Sequence, residues 1–196
     1  MVLHVETTPG VAASVSRQLE SLGYALDIPL DERNGTAHRF RRDSAIVDLT
    51  AAATDVVDVL VADHAAPRAA QQLRGRRMVA IEGGTQALRR TINATLQILP
   101  GVITTVSVPR PLGAVILKAA AYRADSRDRE RHLQDAALLL SVIPDPYAAR
   151  EELAGSDRSR LLTLERALPE NSRWWRTLPE PWRTNGQVSL RILTAL

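Results

Sequence analysis

The apolar positions of this chain keep two different spacings. Up to about residue 108 they come in short, mostly β-branched runs separated by turn residues, the pattern of strands. Residues 1–5 form the first such run. Residues 24–30 and 37–42 flank Asn34-Gly35, the strongest short hairpin signal, and read as partner strands. Residues 45–49 and 56–61 are two similar runs, each carrying one carboxylate, Asp48 in the first and Asp58 in the second. Residues 71–77 are polar and basic and fit an edge or a loop, and residues 78–81 fit a short strand. Residues 93–98 and 103–108 flank Pro100-Gly101 as a second hairpin. One helix interrupts this half: Val11, Val15, Leu19 and Leu22 share a face, Thr8-Pro9 starts it and Gly23 stops it. The glycine turn after Glu82 opens a further helical turn, with Thr85 as its cap.

From residue 109 the spacing turns helical and stays so. Leu112, Val115, Ile116 and Ala119 form one apolar face, and Leu133, Ala136, Ala137 and Leu140 form a second, with a charged turn between them. These two helices end near Ile143-Pro144, and residues 146–153, 156–168 and 181–196 continue the pattern between prolines. Trp174, Trp175 and Trp182 are expected to pin the last helix to the body, not to bind a ligand. Strands first and helices second describe an α+β fold, with a mixed sheet over residues 1–108 feeding a helical part over residues 109–196.

Composition narrows the chemistry. At 196 residues the chain makes one domain, or a domain with a helical extension, and can bury about 70% of its unfolded surface. It has no cysteine, which excludes disulfides, thiolate metal sites and cysteine nucleophiles and fits the reducing cytoplasm. No apolar run reaches the ~20 residues of a membrane span, and the first residues carry no basic leader, so neither membrane nor signal peptide is expected. The formal net charge is +3, and arginines cluster at 39, 41, 42, at 74, 76, 77, at 89, 90 and across 123–131. Such clusters suit phosphate or nucleic acid, and they equally cover solvated faces in an arginine-biased chain. Outside the C-terminal tail the only aromatics are Tyr24, Phe40, Tyr122 and Tyr147, which argues against a base-stacking platform.

Against 24 arginines, Lys118 is the sole lysine. An ammonium is a compact point charge that can sit against a phosphate, where a guanidinium is a broad fork. The plain alternative is a lysine snorkelling from a core helix. Arg131 and Asp135 lie four apart on the following helix, on one side of it. A lysine in an alanine-rich helix, then a loop, then a basic residue with an aspartate four later and leucines behind it, resembles the C-terminal half of the AbiEii/MenT nucleotidyltransferase toxins. These are polymerase-β-like enzymes of bacterial toxin–antitoxin pairs. Their usual pattern is Leu-x-x-Lys-x-x-Ala, then Arg-x-x-Lys-Asp-x-x-Asp-Leu. Lys118 and Asp135 match it, while Arg131 stands where the family has lysine and His132 where it has aspartate. The likeness is strongest to actinobacterial members and runs from the first residues to about Pro181.

The resemblance implies a polymerase-β-like nucleotidyltransferase core with a mixed sheet, followed by a helical C-terminal half. It implies a toxin of a type IV-like or type II-like pair, which adds nucleotides from CTP or UTP to the 3′ end of tRNA with Mg2+. Translation is thereby blocked until a cognate antitoxin protein neutralises the toxin. Asp58 would be the third metal-binding carboxylate, with Asp48 its rival. Lys118 would contact the triphosphate. Asp135, set by Arg131, would orient that lysine or the nucleotide, and Arg39 or Arg41 would meet phosphate. The family's first motif, a Gly-Gly/Ser turn and an Asp-x-Asp strand, lies before the segment that residues 1–5 resemble. The glycine turn after Glu82 is not that motif, because no alternating pair of carboxylates follows it. The expectation is a true start upstream of Met1, or else a chain with negligible transferase activity. The alternative functions are a truncated, inactive relative that binds RNA or its antitoxin, and an unrelated basic interaction domain.

Overall fold

The computed structural model describes residues 2–3, 10–28, 36–43, 54–63, 72–126 and 128–195. They are α+β, with small sheets and eight helices, and their contacts divide into two units, Met1–Gly84 and Thr85–Leu196. The division falls after Gly84; the change of apolar spacing falls at 108/109. Among the described residues, no helix is long and apolar enough to cross a membrane.

In the first unit the strands are short and change sheets often. Strand β1 (Val2–Leu3) precedes helix α1 (Val11–Ser21), followed by β2 (Ala25–Leu26), β3 (Thr36–Ala37) and β4 (Arg39–Asp43). Then come β5 (Thr54–Asp58), β6 (Leu60–Ala62), β7 (Gln72–Leu73), β8 (Arg76–Met78) and β9 (Ala80–Ile81). The parallel sheet has order β1-β6-β9, the antiparallel sheet β2-β4-β5 and the mixed sheet β3-β8-β7. The chain passes from one sheet to another at His38 and again at Val59, and these two residues meet: Val59 N–H donates to His38 O at 2.7 Å. Asp58 therefore stands at the end of a strand, beside a change of sheet.

The predicted face of α1 packs inward through Val11, Val15 and Leu19. Leu22, expected on that face, is instead exposed, because the helix stops one residue before it. Gly23 N–H donates to Glu20 O and Tyr24 N–H to Leu19 O, the paired bonds of a glycine-terminated helix end. Phe40, Val59, Leu73 and Met78 complete the core with α1. The segment 71–77 is expected as an edge or loop; its described residues, from Gln72 on, enter the β7–β8 hairpin, with β7 at the edge of its sheet. Its turn, Arg74-Gly75, has positive φ at both residues (51° and 77°), the geometry that matches strand twist. Arginine is a poor residue for that region, and its side chain reaches Glu20 in an ion pair of 2.8 Å.

The second unit begins within α2 (Gly84–Arg89), in which Thr85 lies buried inside the helix and not at its cap. The hairpin of β10 (Thr91–Leu99) and β11 (Val102–Pro109) follows as expected. Then the chain is helical: α3 (Pro111–Ala124), α4 (Arg129–Ser141), α5 (Pro146–Glu151), α6 (Asp157–Ala167), α7 (Arg173–Arg176) and α8 (Trp182–Thr194). Both predicted faces are buried: Leu112, Val115, Ile116 and Ala119 of α3 against Leu133, Ala136, Ala137 and Leu140 of α4. Small residues in both faces let the two helices pack closely.

Trp175 behaves as the tryptophans were expected to. It is buried, its Nε1 donates to Leu168 O at 3.2 Å, and its ring lies against Gly186 of α8. Trp182, at the start of α8, is 45% exposed. A Cβ at Gly186 would come within 2.7 Å of the Trp175 ring and 3.3 Å of Ala137 O. Gly186→Ala is therefore expected to cost about 1–3 kcal/mol by overpacking, read as a lower midpoint in urea unfolding.

Candidate functional site

Helices α3 and α4 bring together two of the residues singled out by their chemistry. Lys118 Nζ lies 2.7 Å from Asp135 Oδ2, and each side chain is about one-third exposed (33% and 34%). The contact follows from the packing. Lys118 sits next to the Val115–Ile116–Ala119 stripe, and Asp135 sits next to Ala136, so the buried faces that join the helices set both groups at the rim of that seam. An ammonium there is held by one carboxylate, with part of its surface open to a ligand.

Asp135 also lines a cleft of about 490 Å³, with Arg131 and Gln134 of α4 and with Trp174, Thr177 and Leu178. Arg131 is exposed and makes no ion pair with Asp135, which pairs with Lys118. Trp174 is fixed in the cleft wall: its Nε1 donates to Glu130 Oε2 at 3.0 Å and Arg173 lies over its ring at 4.4 Å. Glu130 is held below the usual carboxylate range, first by its hydrogen bond from Arg173. His132 faces Asp125 at 3.3 Å.

The first unit holds the other predicted residues. Arg39 and Asp58 are register partners across β4 and β5, and they form a two-pronged pair: Nε to Oδ1 at 2.8 Å and Nη2 to Oδ2 at 3.0 Å. Arg41 Nε donates to Asp27 Oδ2 at 2.7 Å, and Arg42 Nη2 donates to Asp55 Oδ2 at 2.7 Å. Each arginine of β4 thus already holds a carboxylate. Sequence pattern missed these pairs because they depend on strand register and on Asp27, which no motif marks. Asp48 lies outside the described residues.

Asp58 shows the electrostatic result. The hydrogen bonds from Arg39 hold its carboxyl below the usual aspartate range, while partial burial pushes the other way. A depressed folded pKa adds stability above the unfolded aspartate value and loses it as pH falls through the folded value. Arg39→Gln is expected to move the Asp58 titration upward toward the ordinary aspartate range, read by carboxyl NMR. An unmoved titration would show that Arg39 is not its cause.

Magnesium takes several oxygen ligands in a near-octahedral shell. Among the described residues no three His, Cys, Asp or Glu side chains are grouped to hold a metal ion. Both oxygens of Asp58 rest on Arg39. The described residues do not by themselves fit a magnesium site.

One further cluster was not foreseen. Asp157, at the start of α6, is fully buried, and Arg90 and Arg160 are buried beside it. Arg90 Nη2 lies 2.8 Å from Asp157 Oδ2, and Arg90 also donates to Glu152 O. It ties the segment before the hairpin to the helices and is structural. Compared with family models, with curated proteins and with solved structures, the chain matches none.

Proposed function

We propose that the chain is a nucleotidyltransferase toxin of the AbiEii/MenT kind, which transfers a nucleotide from an NTP, CTP or UTP, to the 3′ end of tRNA. The observation that carries this reading is the pair of Lys118 and Asp135, 2.7 Å apart on α3 and α4 and matched to the family's lysine and aspartate. In the reaction, the terminal hydroxyl oxygen attacks the α-phosphorus and gives up its proton to solvent. A new P–O bond forms there, the α–β bond breaks, and pyrophosphate leaves. Negative charge grows on the leaving phosphates, where a fixed ammonium stabilises it. Asp135 holds Lys118 in place for that role, and the exposed Arg131 adds positive charge at the adjoining cleft. This reading assigns Asp58 to Mg2+, which would require Arg39 to release its oxygens. The acceptor tRNA and a neutralising antitoxin are the partners it requires.

A second reading has its own support. Arg39 engages both oxygens of Asp58, the carboxylate that metal-assisted transfer would use. That arrangement suits a relative that binds RNA or its antitoxin without chemistry. One experiment separates the two: incubate the chain with tRNA, Mg2+ and each labelled NTP, and run a mobility shift of the tRNA in parallel. Incorporation that Asp58→Ala abolishes supports transfer. A shift without incorporation supports binding alone. Neither result would leave an unrelated basic α+β domain.

A further inference from the structure

Helix α4 lines the cleft beside α7 with two rows of side chains. Glu130, Gln134 and Leu138 follow one another at helical spacing, and Arg131 and Asp135 form the neighbouring row. The second row carries the partner of Lys118, 2.7 Å away. The first row runs alongside it, with Trp174, Thr177 and Leu178 completing the wall. The volume of about 490 Å³ lies within the range of small-molecule pockets, about 300–1,000 Å³. All of these residues belong to the second unit.

The charges of the lining decide which part of a ligand fits. Glu130 is neutralised by Arg173 and Asp135 by Lys118, each at 2.7 Å. Asp128 and Arg131 remain, one of each sign. The cleft therefore has no net charge with which to hold a lone cation, or a phosphate beyond those at Lys118. It suits a neutral, flat, hydrogen-bonding group, and a nucleobase is such a group. Trp174 gives it an aromatic surface, Leu138 and Leu178 an apolar one, and Gln134 a donor and an acceptor side by side.

The acceptors select the base. The bonds from Arg173 and Trp174 both fall on Glu130 Oε2, and Lys118 pairs with Asp135 Oδ2. The second oxygen of each carboxylate is left to accept, as is Asp128, whose side chain does not cap α4. Ionised carboxylates only accept, so they favour a base edge that carries an exocyclic amine. The amide N–H of Gln134 then donates to the ring nitrogen beside that amine. Cytosine presents this edge, while uracil would set a carbonyl against the carboxylates. We propose that the cleft is the base subsite of the incoming nucleotide, in which Gln134 reads an amino-bearing base against Trp174 and admits CTP ahead of UTP. This rests on the transferase reading in one respect: phosphates held at Lys118 bring the base to the cleft.

Equilibrium dialysis of the full chain against labelled CTP and labelled UTP, with Mg2+, tests this apart from turnover. CTP is expected to bind at least about fivefold more tightly than UTP. Gln134 is at an exposed helix position that alanine suits. Gln134→Ala is expected to weaken CTP about tenfold and leave UTP nearly unchanged, so that the preference disappears. Trp174→Leu is expected to weaken both nucleotides alike, by about fivefold or more. Lys118→Ala is expected to weaken both and keep the preference. Circular dichroism confirms that each variant is folded; if Trp174→Leu is not, Gln134→Ala decides. No binding of CTP, or equal binding of CTP and UTP, overturns the proposal. So does a preference that a folded Gln134→Ala variant keeps, even where the chain incorporates nucleotide into tRNA and the transferase reading stands. A preference that Gln134→Ala erases, in a chain that incorporates nothing, upholds the base subsite and removes the transferase reading.

Discussion

Replacing Asp157 with alanine is expected to lower stability by about 3–5 kcal/mol, the usual consequence of removing one partner of a buried ion pair. The size follows from what remains. Asp157 is fully buried, Arg90 lies 2.8 Å from it, and Arg160 lies 3.8 Å away on the same helix. Its Oδ2 also accepts from Ala154 N–H at 3.1 Å, which shapes the entry to α6. Alanine would leave two buried guanidinium groups with no carboxylate between them. Arg90 Nη1 already lacks a hydrogen-bond partner among the described residues, and Arg90 would keep only the partly exposed Glu152 carboxylate, 3.7 Å from its Nε. The expected fall in Tm is on the order of 10 °C for a chain of this size. Asp157→Asn keeps the shape and part of the hydrogen bonding, so it should fall between wild type and alanine. Replacing Arg90, Asp157 and Arg160 together by apolar residues of similar volume should recover most of the loss, since the cost lies in an unpaired charge and not in the pair itself. Equal damage from the triple variant would mean that the cluster works by packing alone.

That cluster also shows what was legible in the sequence. The buried faces of α3 and α4 could be read because helical periodicity is local, and Lys118 and Asp135 meet because both flank those faces. The pairing of Arg90 with Asp157 spans 67 residues and belongs to no repeat or motif, so nothing local announces it. Strand pairings show the same limit. Residues 37–42 read as one strand, yet they divide at His38 between β3 and β4 of different sheets, and the placing of Arg39 opposite Asp58 needs the register, where a shift by one residue would turn every side chain to the other face. The β7–β8 turn escaped notice because Arg74-Gly75 lacks the asparagine or aspartate that usually marks such turns. The Asn34-Gly35 signal lies outside the described residues.

Lys118 gives the sharpest separation between fold and function. Its ion pair with Asp135 is one-third exposed, and exposed pairs of this kind contribute roughly 0–1 kcal/mol. Lys118→Ala should therefore unfold within about 1 kcal/mol of wild type. Its effect on chemistry should be much larger: removing a fixed charge from the developing phosphate charge typically slows a reaction by about 10²–10³-fold. Where the chain transfers nucleotide, incorporation into tRNA should fall by that factor; where it only binds, NTP affinity is the readout. Lys118→Arg tests the kind of charge. A guanidinium can still pair with Asp135, but it cannot present the same compact charge, so the variant should keep the fold and recover less than about a tenth of the activity. Asp135→Asn should do less harm, because the ammonium stays and loses only its anchor. A folded Lys118→Ala protein with unchanged nucleotide incorporation and unchanged NTP affinity would remove the lysine from the mechanism, and with it the observation on which the transferase reading rests.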